Sequence, residues 1–383
     1  MKQNKTKRIK KIGTYVFYVA LTVFILALVL SFNDMDGIRE VISEAKLSYV
    51  GIAVLCLLGY ILLYPLSLCI LTSARKCDIS PLTTYNIAMT EHFFNGITPF
   101  ATGGQPFQVY SFSRARVKAS ESTCLLLMNF MVFMLVTNGF AACSLFFFRR
   151  FVTTGPMTII SVVGFSINFF VLIMTFLLAT NKGICRLICR FLDFLCRFRL
   201  LSKLLSPRVE GLKLYFVQVQ EAFAALMKRK GHFLLALLSK ICSMGLYYMT
   251  TFFILKALNV PLPSNDLFFI ICGTSFAITM VVFLPTPGSS GGIELAFKDV
   301  FASITGGSIA VATSGMLIWR LLTYYLVMLI SLAFYVVLEI RFAKKSKAKM
   351  FMTLEEDLDD LIEKHDGESE ATEKEETEEI ADE

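Results

Sequence analysis

The chain carries between Tyr49 and Leu71 the stretch YVGIAVLCLLGYILLYPLSLCIL, in which no residue is acidic or basic. A helix needs roughly 20 apolar residues to cross the hydrocarbon core of a bilayer, and this stretch is long enough. Hydrophobic residues fill 55% of the 383 positions, which leaves too few amphipathic segments to wrap such helices in a water-soluble core. The sequence therefore predicts an all-α, polytopic membrane protein. Six further apolar runs support this prediction: Tyr15–Ser31, Cys124–Phe148, Met157–Thr180, Phe233–Leu255, Leu267–Leu284 and Ile309–Ile340.

The first of these runs resembles a secretory signal peptide in one respect, because basic residues precede it. Its apolar core is longer than the about 7–15 residues usual for such peptides, and Ser31–Asp34 lacks a small-residue cleavage motif. We therefore interpret Tyr15–Ser31 as a retained transmembrane helix. Residues 1–11 then form a basic cytoplasmic N-terminus, with Lys2, Lys5, Lys7, Arg8, Lys10 and Lys11.

Positive charge orients the remaining segments, because Lys and Arg concentrate on the cytoplasmic side of membrane proteins. This rule predicts six full transmembrane helices with the N-terminus and the C-terminus both in the cytoplasm. Two other segments, 82–110 and 267–305, start and end on the same side of the membrane and carry proline and glycine in their middle. We predict that each is a re-entrant helical hairpin, the first entering from the cytoplasm and the second from outside.

The predicted transmembrane domain spans residues 12–341, with a first repeat over about 12–148 and a second over about 157–341. A cytoplasmic insert at 181–231 has 11 basic and 3 acidic residues, and its apolar residues recur at helical spacing. This pattern is typical of an amphipathic helix on anionic lipid. The tail at 342–383 turns from basic to acidic, with 16 acidic and 2 basic residues from Thr353 to Glu383. We expect it to be disordered in the cytoplasm, either as a solubilising extension or as a contact for a cytoplasmic partner.

The two predicted hairpins share one motif. Thr98-Pro99-x3-Gly103-Gly104 and Thr286-Pro287-x3-Gly291-Gly292 have identical spacing and lie 188 residues apart. Each half of the chain also has the same order, namely two crossings, a hairpin and one crossing. Because three crossings per half turn the second copy upside down, we predict an inverted-topology repeat. Such repeats, with broken helices that meet near the midplane, are typical of transporters.

The breaks in the hairpins predict a ligand site. Backbone without hydrogen-bond partners is tolerated at membrane depth only inside the protein or beside a wet cavity. Helix N-termini that face such a cavity suit a phosphate group, with Thr102 and Ser289 or Ser290 capping the restarting helices. The glycines either admit a ligand or allow tight helix packing. The predicted lipid-binding residues are Thr98, Pro99, Thr102, Gly103, Gly104, Gln105, Thr286, Pro287, Gly288, Gly291, Gly292, Glu294 and Arg320.

Charged residues inside apolar segments are the second signal, because charge is costly there and usually faces a cavity. Arg320 lies too deep in the last run to reach the interface easily, so it pairs with Glu294 or Glu91, holds an anionic headgroup, or does both. Glu294 also suits a helix N-terminus as a stabiliser of the dipole. Glu91, His92 and Lys240 are candidate proton or charge partners, although Lys240 is close enough to its helix end to reach the interface.

Other polar residues and motifs indicate structure rather than chemistry. Asn129, Asn138 and Asn168 are expected to form hydrogen bonds between helices. Residues Gly288–Gly292 match the G-x-S-x-G motif of hydrolases, but a helix and Thr-Pro precede them where that motif requires a strand. The ten cysteines include no C-x-x-C pair, and the chain has three histidines, so we expect no catalytic residue, no metal site, no cofactor and no nucleic-acid partner.

Three stretches resemble the transmembrane family of lysylphosphatidylglycerol synthases and flippases. They are ITPFATGGQP at Ile97–Pro106 with Tyr110 soon after, PTPGSSGGIE at Pro285–Glu294, and WRLLTYY at Trp319–Tyr325, which contains Arg320. The resemblance extends over roughly Lys11–Arg341. The chain departs from the family pattern at Ser289, where a glycine is common, and at Gln105, where many relatives carry glutamate.

The resemblance implies a protein of the bacterial plasma membrane that flips or handles anionic or aminoacylated phospholipids, such as lysylphosphatidylglycerol. Full-length members add a cytoplasmic domain that transfers lysine from charged tRNA to phosphatidylglycerol. About 40 residues follow Arg341, which is too few to bury such a domain, so we expect no lysyltransferase activity in this chain. Three alternatives remain: an enzyme that transfers lysine to a lipid, a carrier for a polyprenyl-phosphate-linked lipid, and an accessory membrane subunit. Oligomeric state, transport direction and energy coupling have no signal in the sequence.

Overall fold

The computed structural model describes residues 43–144, 156–184, 186–187, 190, 199–284, 286–289, 291–302 and 308–344. All regular structure within these residues is helical. The helices are α1 (Leu47–Leu63), α2 (Leu66–Ala74), α3 (Pro81–Ile97), α4 (Gly104–Arg114), α5 (Ala119–Cys143), α6 (Pro156–Thr180), α7 (Arg199–Met227), α8 (Lys230–Ala257), α9 (Leu267–Val281), α10 (Gly292–Ala302) and α11 (Ile309–Arg320). A six-residue π-helix, Leu321–Leu326, follows α11, and the helix then continues to residue 344.

Six helices of the described part are long and apolar enough to cross a membrane. Five agree with the predicted crossings: Leu47–Ala74, Ala119–Cys143, Ile159–Thr180, Lys230–Ala257 and Ala310–Lys344. The sixth, Ser264–Val281, was expected to be one arm of the second hairpin, and by length and composition it is sufficient for a crossing. The predicted first helix, Tyr15–Ser31, lies outside the described residues. The chain is therefore an all-helical, multi-pass membrane protein.

The first described crossing is kinked at Pro65, which separates α1 from α2. Proline has no N–H to bond the carbonyl four residues earlier, so the carbonyl of Ile61 needs another donor. The hydroxyl of Tyr85 donates to it at 2.9 Å. Ser239 Oγ donates to the carbonyl of Leu63 at 3.1 Å, on the same stretch of α1. Side chains from two other helices therefore satisfy the backbone around the kink.

Helix α8 is the centre of the packed structure, where it contacts α1, α2, α5, α9 and α11. Its residues Phe252, Ile254 and Leu255 are buried. Together with Phe276 of α9 and Trp319 of α11 they belong to one apolar cluster. This cluster fixes the position of the second hairpin relative to the last helix.

Helix α7 occupies most of the basic insert that was predicted at 181–231. It packs against α5 and α6. The hydroxyls of Tyr215 and Thr123 form a hydrogen bond, and Gln220 Nε2 donates to the carbonyl of Leu178 at 2.9 Å. Most of the amphipathic pattern at 184–198 lies outside the described residues. The structure thus places in this insert a long helix that packs against the bundle.

The chain divides into two compact units, Met1–Tyr335 and Val336–Glu383. The candidate site lies entirely in the first unit. In the second unit the structure describes residues 336–344, which are helical. The predicted acidic tail lies outside the described residues.

Candidate functional site

The two breaks predicted from the shared motif have the same backbone geometry. A short 3-10 turn, Pro99–Ala101, lies between α3 and α4, and a second one, Pro287–Ser289, lies between α9 and α10. In both turns the two residues after proline have positive φ, with values of 56° and 51° in the first and 58° and 53° in the second. Only the second turn has a glycine, Gly288, at one of these strained positions. The helices restart at equivalent motif positions, Gly104 and Gly292.

Each break joins two helices that pack against one another. Helix α3 contacts α4, and α9 contacts α10. Ser80 and Pro81 start α3, because the hydroxyl of Ser80 accepts the N–H of Thr83 at 3.3 Å and proline suits the first helical turn. Both breaks are therefore tips of helical hairpins.

The two tips lie in contact with each other. The turn at Pro99–Ala101 contacts the turn at Pro287–Ser289, and α3 contacts the second turn as well. Tyr324, in the π-helix, links them: its hydroxyl donates to the carbonyl of Gly96 at 2.8 Å. A π-helix inserted in an α-helix frequently marks a functional position. The two turns that carry the shared motif are thus in contact.

The ring of Tyr324 also explains the glycine in the second tip. A Cβ added at Gly288 would lie 2.3–2.6 Å from ring and hydroxyl atoms of Tyr324, and the φ of Gly288 is +58°. No real Cβ contact is that short. Tyr324 therefore fills the space that a side chain at position 288 would need, which is a packing role for this glycine.

Arg320, the last residue of α11, is 2% exposed, and its side chain contacts the second tip. Its Nη1 donates to the carbonyl of Gly288 at 3.0 Å, and its guanidinium lies 4.5 Å from the ring centroid of Tyr324. The expected pairing with Glu91 is not the arrangement found, because the Glu91 carboxylate is bonded to Tyr64 and Asn95. The side chain of Glu294 lies outside the described part of the structure. Arg320 therefore holds the broken backbone at its position.

In the first tip, neutral side-chain oxygens cap the restarting helix. The N–H of Gly103 donates to Thr98 Oγ1 at 2.9 Å, and the N–H of Gly104 donates to Asn95 Oδ1 at 2.8 Å. The expectation that Thr102 caps this helix is wrong, since its hydroxyl donates to the carbonyl of Pro99 at 3.1 Å. The caps come from residues before the turn because the chain folds back on itself there.

Glu91 and His92 lie half-buried on α3, next to Tyr60 of α1 and to Tyr64, which follows the end of α1. Tyr64 Oη donates to Glu91 Oε2 at 3.2 Å, and Tyr60 Oη lies 3.2 Å from His92 Nε2. Lys240 of α8 joins this group from the other side. Its Nζ lies 3.5 Å from the centroid of the Tyr64 ring and donates to the carbonyl of Tyr64 at 3.2 Å.

The position of Lys240 differs from the expectation that it could reach the interface, because it is 0% exposed. The proline kink supplies the physical reason. Tyr64 precedes Pro65, and the bend turns the carbonyl and the ring face of Tyr64 towards α8. A buried ammonium group needs such acceptors.

The remaining predicted residues lie at or beside the two tips. Thr286 and Gln105 are half-buried, and the carbonyl of Thr286 accepts the N–H of Ser289 at 3.0 Å. Gly291 has φ +89° with open space where a Cβ would be, whereas Gly292 packs on Leu284. Pro285, Ser290 and the side chains of Pro287 and Glu294 lie outside the described part.

Sequence reasoning missed three residues that organise the site: Asn95, Tyr324 and Ser331. Ser331 Oγ accepts the N–H of Phe93 at 2.9 Å and donates to the carbonyl of Met89 at 2.6 Å. It therefore bridges two positions one turn apart in α3. The sequence offered one signal for two of them, namely their position. Asn95 lies just before the stretch Ile97–Pro106, and Tyr324 lies within Trp319–Tyr325.

The fold and the site together define a class: an all-helical, multi-pass membrane protein in which two broken helical hairpins meet beside a buried arginine. Within this class, the family model described as "Lysylphosphatidylglycerol synthase TM region" matches residues 15–331. The chain belongs to this family. No curated protein matches the chain.

Proposed function

We propose that the protein translocates an anionic or aminoacylated phospholipid, such as lysylphosphatidylglycerol, between the leaflets of the bacterial plasma membrane. In this proposal the headgroup passes through the polar region between the two tips while the acyl chains remain in the bilayer. The observation that carries the proposal is the convergence of two broken hairpins on Arg320 and Tyr324. Family membership supports a role with lipids in general.

The proposal includes the topology expected from the sequence. The hairpins enter from opposite sides as halves of an inverted repeat, and both chain ends lie in the cytoplasm. The matching positive φ values of the two turns support this repeat. Inverted repeats place broken helices of opposite direction at one midplane site, which is the arrangement that alternating access requires.

Phosphate is the part of the headgroup that the site suits best. Helix N-termini offer backbone N–H groups with partial positive charge, and arginine adds a full charge. The N–H groups of Gly103 and Gly104 now donate to Thr98 and Asn95, which a phosphate oxygen can replace. Asn95 and Thr98 are half-buried, so this tip is open to the molecular surface.

The test is translocation of fluorescent lipids in proteoliposomes that contain Arg320→Ala. We expect the translocation rate to fall at least tenfold. Removing one partner of a buried, hydrogen-bonded charge pair, here the arginine that would hold the phosphate, weakens binding by about 2 kcal/mol or more. Arg229→Ala is the matched control, because Arg229 is exposed. This variant should translocate lipid at the wild-type rate. Arg320→Lys keeps the charge but not the planar donor fork, so its rate should lie between the two.

Arg320→Ala also removes the bond to Gly288, so stability is measured on the same samples. Unfolding temperature and monodispersity separate loss of fold from loss of transport. A folded Arg320→Ala variant with wild-type rates would refute the role of Arg320. The lipid panel contains phosphatidylglycerol, lysylphosphatidylglycerol and a polyprenyl phosphate, and failure of the wild type to move any of them would refute translocation.

A further inference from the structure

The carboxylate of Glu91 lies at the base of the first tip and is surrounded by donors. It accepts from Tyr64 Oη at 3.2 Å and from Asn95 Nδ2 at 3.5 Å. A set that consists of donors suits an ionised carboxylate, which can only accept. Glu91 is half-buried, so it is accessible from the surface.

Lys240 supplies the balancing positive charge on the far side of Tyr64. Its ammonium packs on the ring whose hydroxyl bonds to Glu91, and the charges of Lys240 and Glu91 act on each other. An opposite charge nearby stabilises the ionised carboxylate. With Glu91 ionised and Lys240 protonated, this pair carries no net charge.

Glu91 is joined directly to the break. Its neighbour Asn95 accepts the N–H of Gly104, and a Cβ on Gly104 would lie 2.8 Å from Glu91 Cγ. The side chain of Glu91 is therefore packed against the start of α4, where the proposed function places the phosphate. Two negative groups held this close in a low-dielectric site repel each other strongly.

We propose that Glu91 is a proton-binding site that takes up a proton when an anionic headgroup binds at the first tip. The inference rests on the proposed function and names the proton as the ion whose binding is coupled to that of the lipid headgroup. Protonation leaves the pair with the positive charge of Lys240, which favours the anion. By linkage, the same coupling makes headgroup affinity increase as pH falls, by up to tenfold per pH unit across the range in which Glu91 titrates.

Each element packed around Glu91 contributes other ionisable groups. His92 is the second candidate for the proton, because histidine titrates near neutral pH. Its ring lies 4.5 Å from the ring of Tyr64, centroid to centroid. The groups to consider are Tyr60 of α1, Tyr64 between α1 and α2, His92 of α3, Lys240, Tyr247 and Tyr248 of α8, and Arg320 of α11.

Calorimetric titration of the full-length protein in detergent with dihexanoyl phosphatidylglycerol tests this inference. Measurements at one pH in two buffers of different ionisation enthalpy give the number of protons taken up per lipid bound. Repeated between about pH 5 and 9, they should show a pH window with uptake approaching one proton per lipid in the wild type. Glu91→Gln should bind the lipid with no uptake in that window.

Two controls and one graded variant sharpen the result. Glu44→Gln changes an exposed carboxylate and should behave as the wild type, as should His92→Gln. Tyr64→Phe removes one donor to the carboxylate while the aromatic ring under Lys240 remains. This variant should move the pH of half-maximal uptake upward by roughly one unit.

The outcomes separate this inference from the proposed function. Lipid binding by the wild type without proton uptake at any pH, or uptake that persists in Glu91→Gln, refutes the proton site and leaves translocation intact. Uptake lost in His92→Gln and retained in Glu91→Gln assigns the proton to histidine and also refutes the inference. Absence of lipid binding in the wild type refutes both.

Discussion

Gly288 shows how one residue connects backbone strain with packing. Its φ is positive, as are those of Phe100, Ala101 and Ser289 in the two turns. Positive φ alone therefore does not demand glycine at this site. The ring of Tyr324 does, because it occupies the space of the missing Cβ.

Separate substitutions of two glycines in the second tip should distinguish the cost of backbone strain from the cost of displacing Tyr324. Gly291→Ala adds a methyl group in open space at positive φ, so it should cost about 1–2 kcal/mol from backbone strain alone. Gly288→Ala should cost more, because the methyl group also displaces Tyr324 from the carbonyl of Gly96. Thermal unfolding in detergent measures both. Equal losses would contradict the packing role of Tyr324.

Single polar residues were predictable by type but not by partner. Asn129 and Asn168 form the expected bonds between helices, to Ser67 at 2.7 Å and to the carbonyl of Thr279 at 2.9 Å. The expectation for Asn138 was wrong, since it donates to the carbonyl of Met134 one turn earlier in its own helix. Sequence spacing cannot distinguish these cases, because an asparagine side chain reaches either partner.

Helix α6 illustrates the next scale, that of an element attached to its neighbour where two backbones approach closely. Most of its surface is exposed, yet Gly164 lies against the backbone of Met280 in α9. Asn168, one turn further, donates to the carbonyl of Thr279 in α9. Small residues that let two backbones approach are typical of helix pairs in membranes. This pair attaches α6 to the second hairpin.

Gly164→Ala should therefore loosen α6 from α9. A Cβ at this position would lie 2.2 Å from the carbonyl oxygen of Met280, and backbone cannot move aside as a flexible side chain does. We expect a loss of about 1–3 kcal/mol, in the range for overpacked sites. Gly139→Ala in α5 is the control, because nothing lies within 4 Å of its added methyl group. Unchanged unfolding of Gly164→Ala would contradict this contact.

At the scale of the molecule, the orientation of the two hairpins can be tested by chemical labelling. Ser113 and Ser264 are exposed and follow the first tip and α8, respectively. The proposed topology places Ser113 in the cytoplasm and Ser264 outside. In a variant without native cysteines, Ser264→Cys should react with a membrane-impermeant maleimide on intact cells. Ser113→Cys should react only after the cells are opened, and labelling of both in intact cells would refute the inverted arrangement.

Much of the fold was predictable because the bilayer restricts it so strongly. A spanning segment must be helical and about 20 residues long, so composition alone located five of the six long apolar helices. The break at Pro99 and its counterpart at Pro287 followed from proline and glycine. The 18-residue length of Ser264–Val281 could not be predicted, because its apolar pattern suits a crossing and a hairpin arm equally well.

The partners within the site were not predictable from the sequence. Tyr324 and Gly96 are 228 residues apart, and nothing near either residue indicates the other. Arg320 was expected to pair with Glu294 or Glu91, to hold an anionic headgroup, or to do both, and its donation to the carbonyl of Gly288 at 3.0 Å was not foreseen. Such contacts depend on how whole hairpins dock, which local pattern does not encode.

Tyr324 bonds to one tip through its hydroxyl and packs on the other with its ring. Any displacement of one hairpin therefore disturbs the other. If the protein translocates lipid as proposed, a pathway closed in this way would pass a large amphiphile stepwise without a continuous pore through which ions leak. Energised cells would then keep their membrane potential during transport.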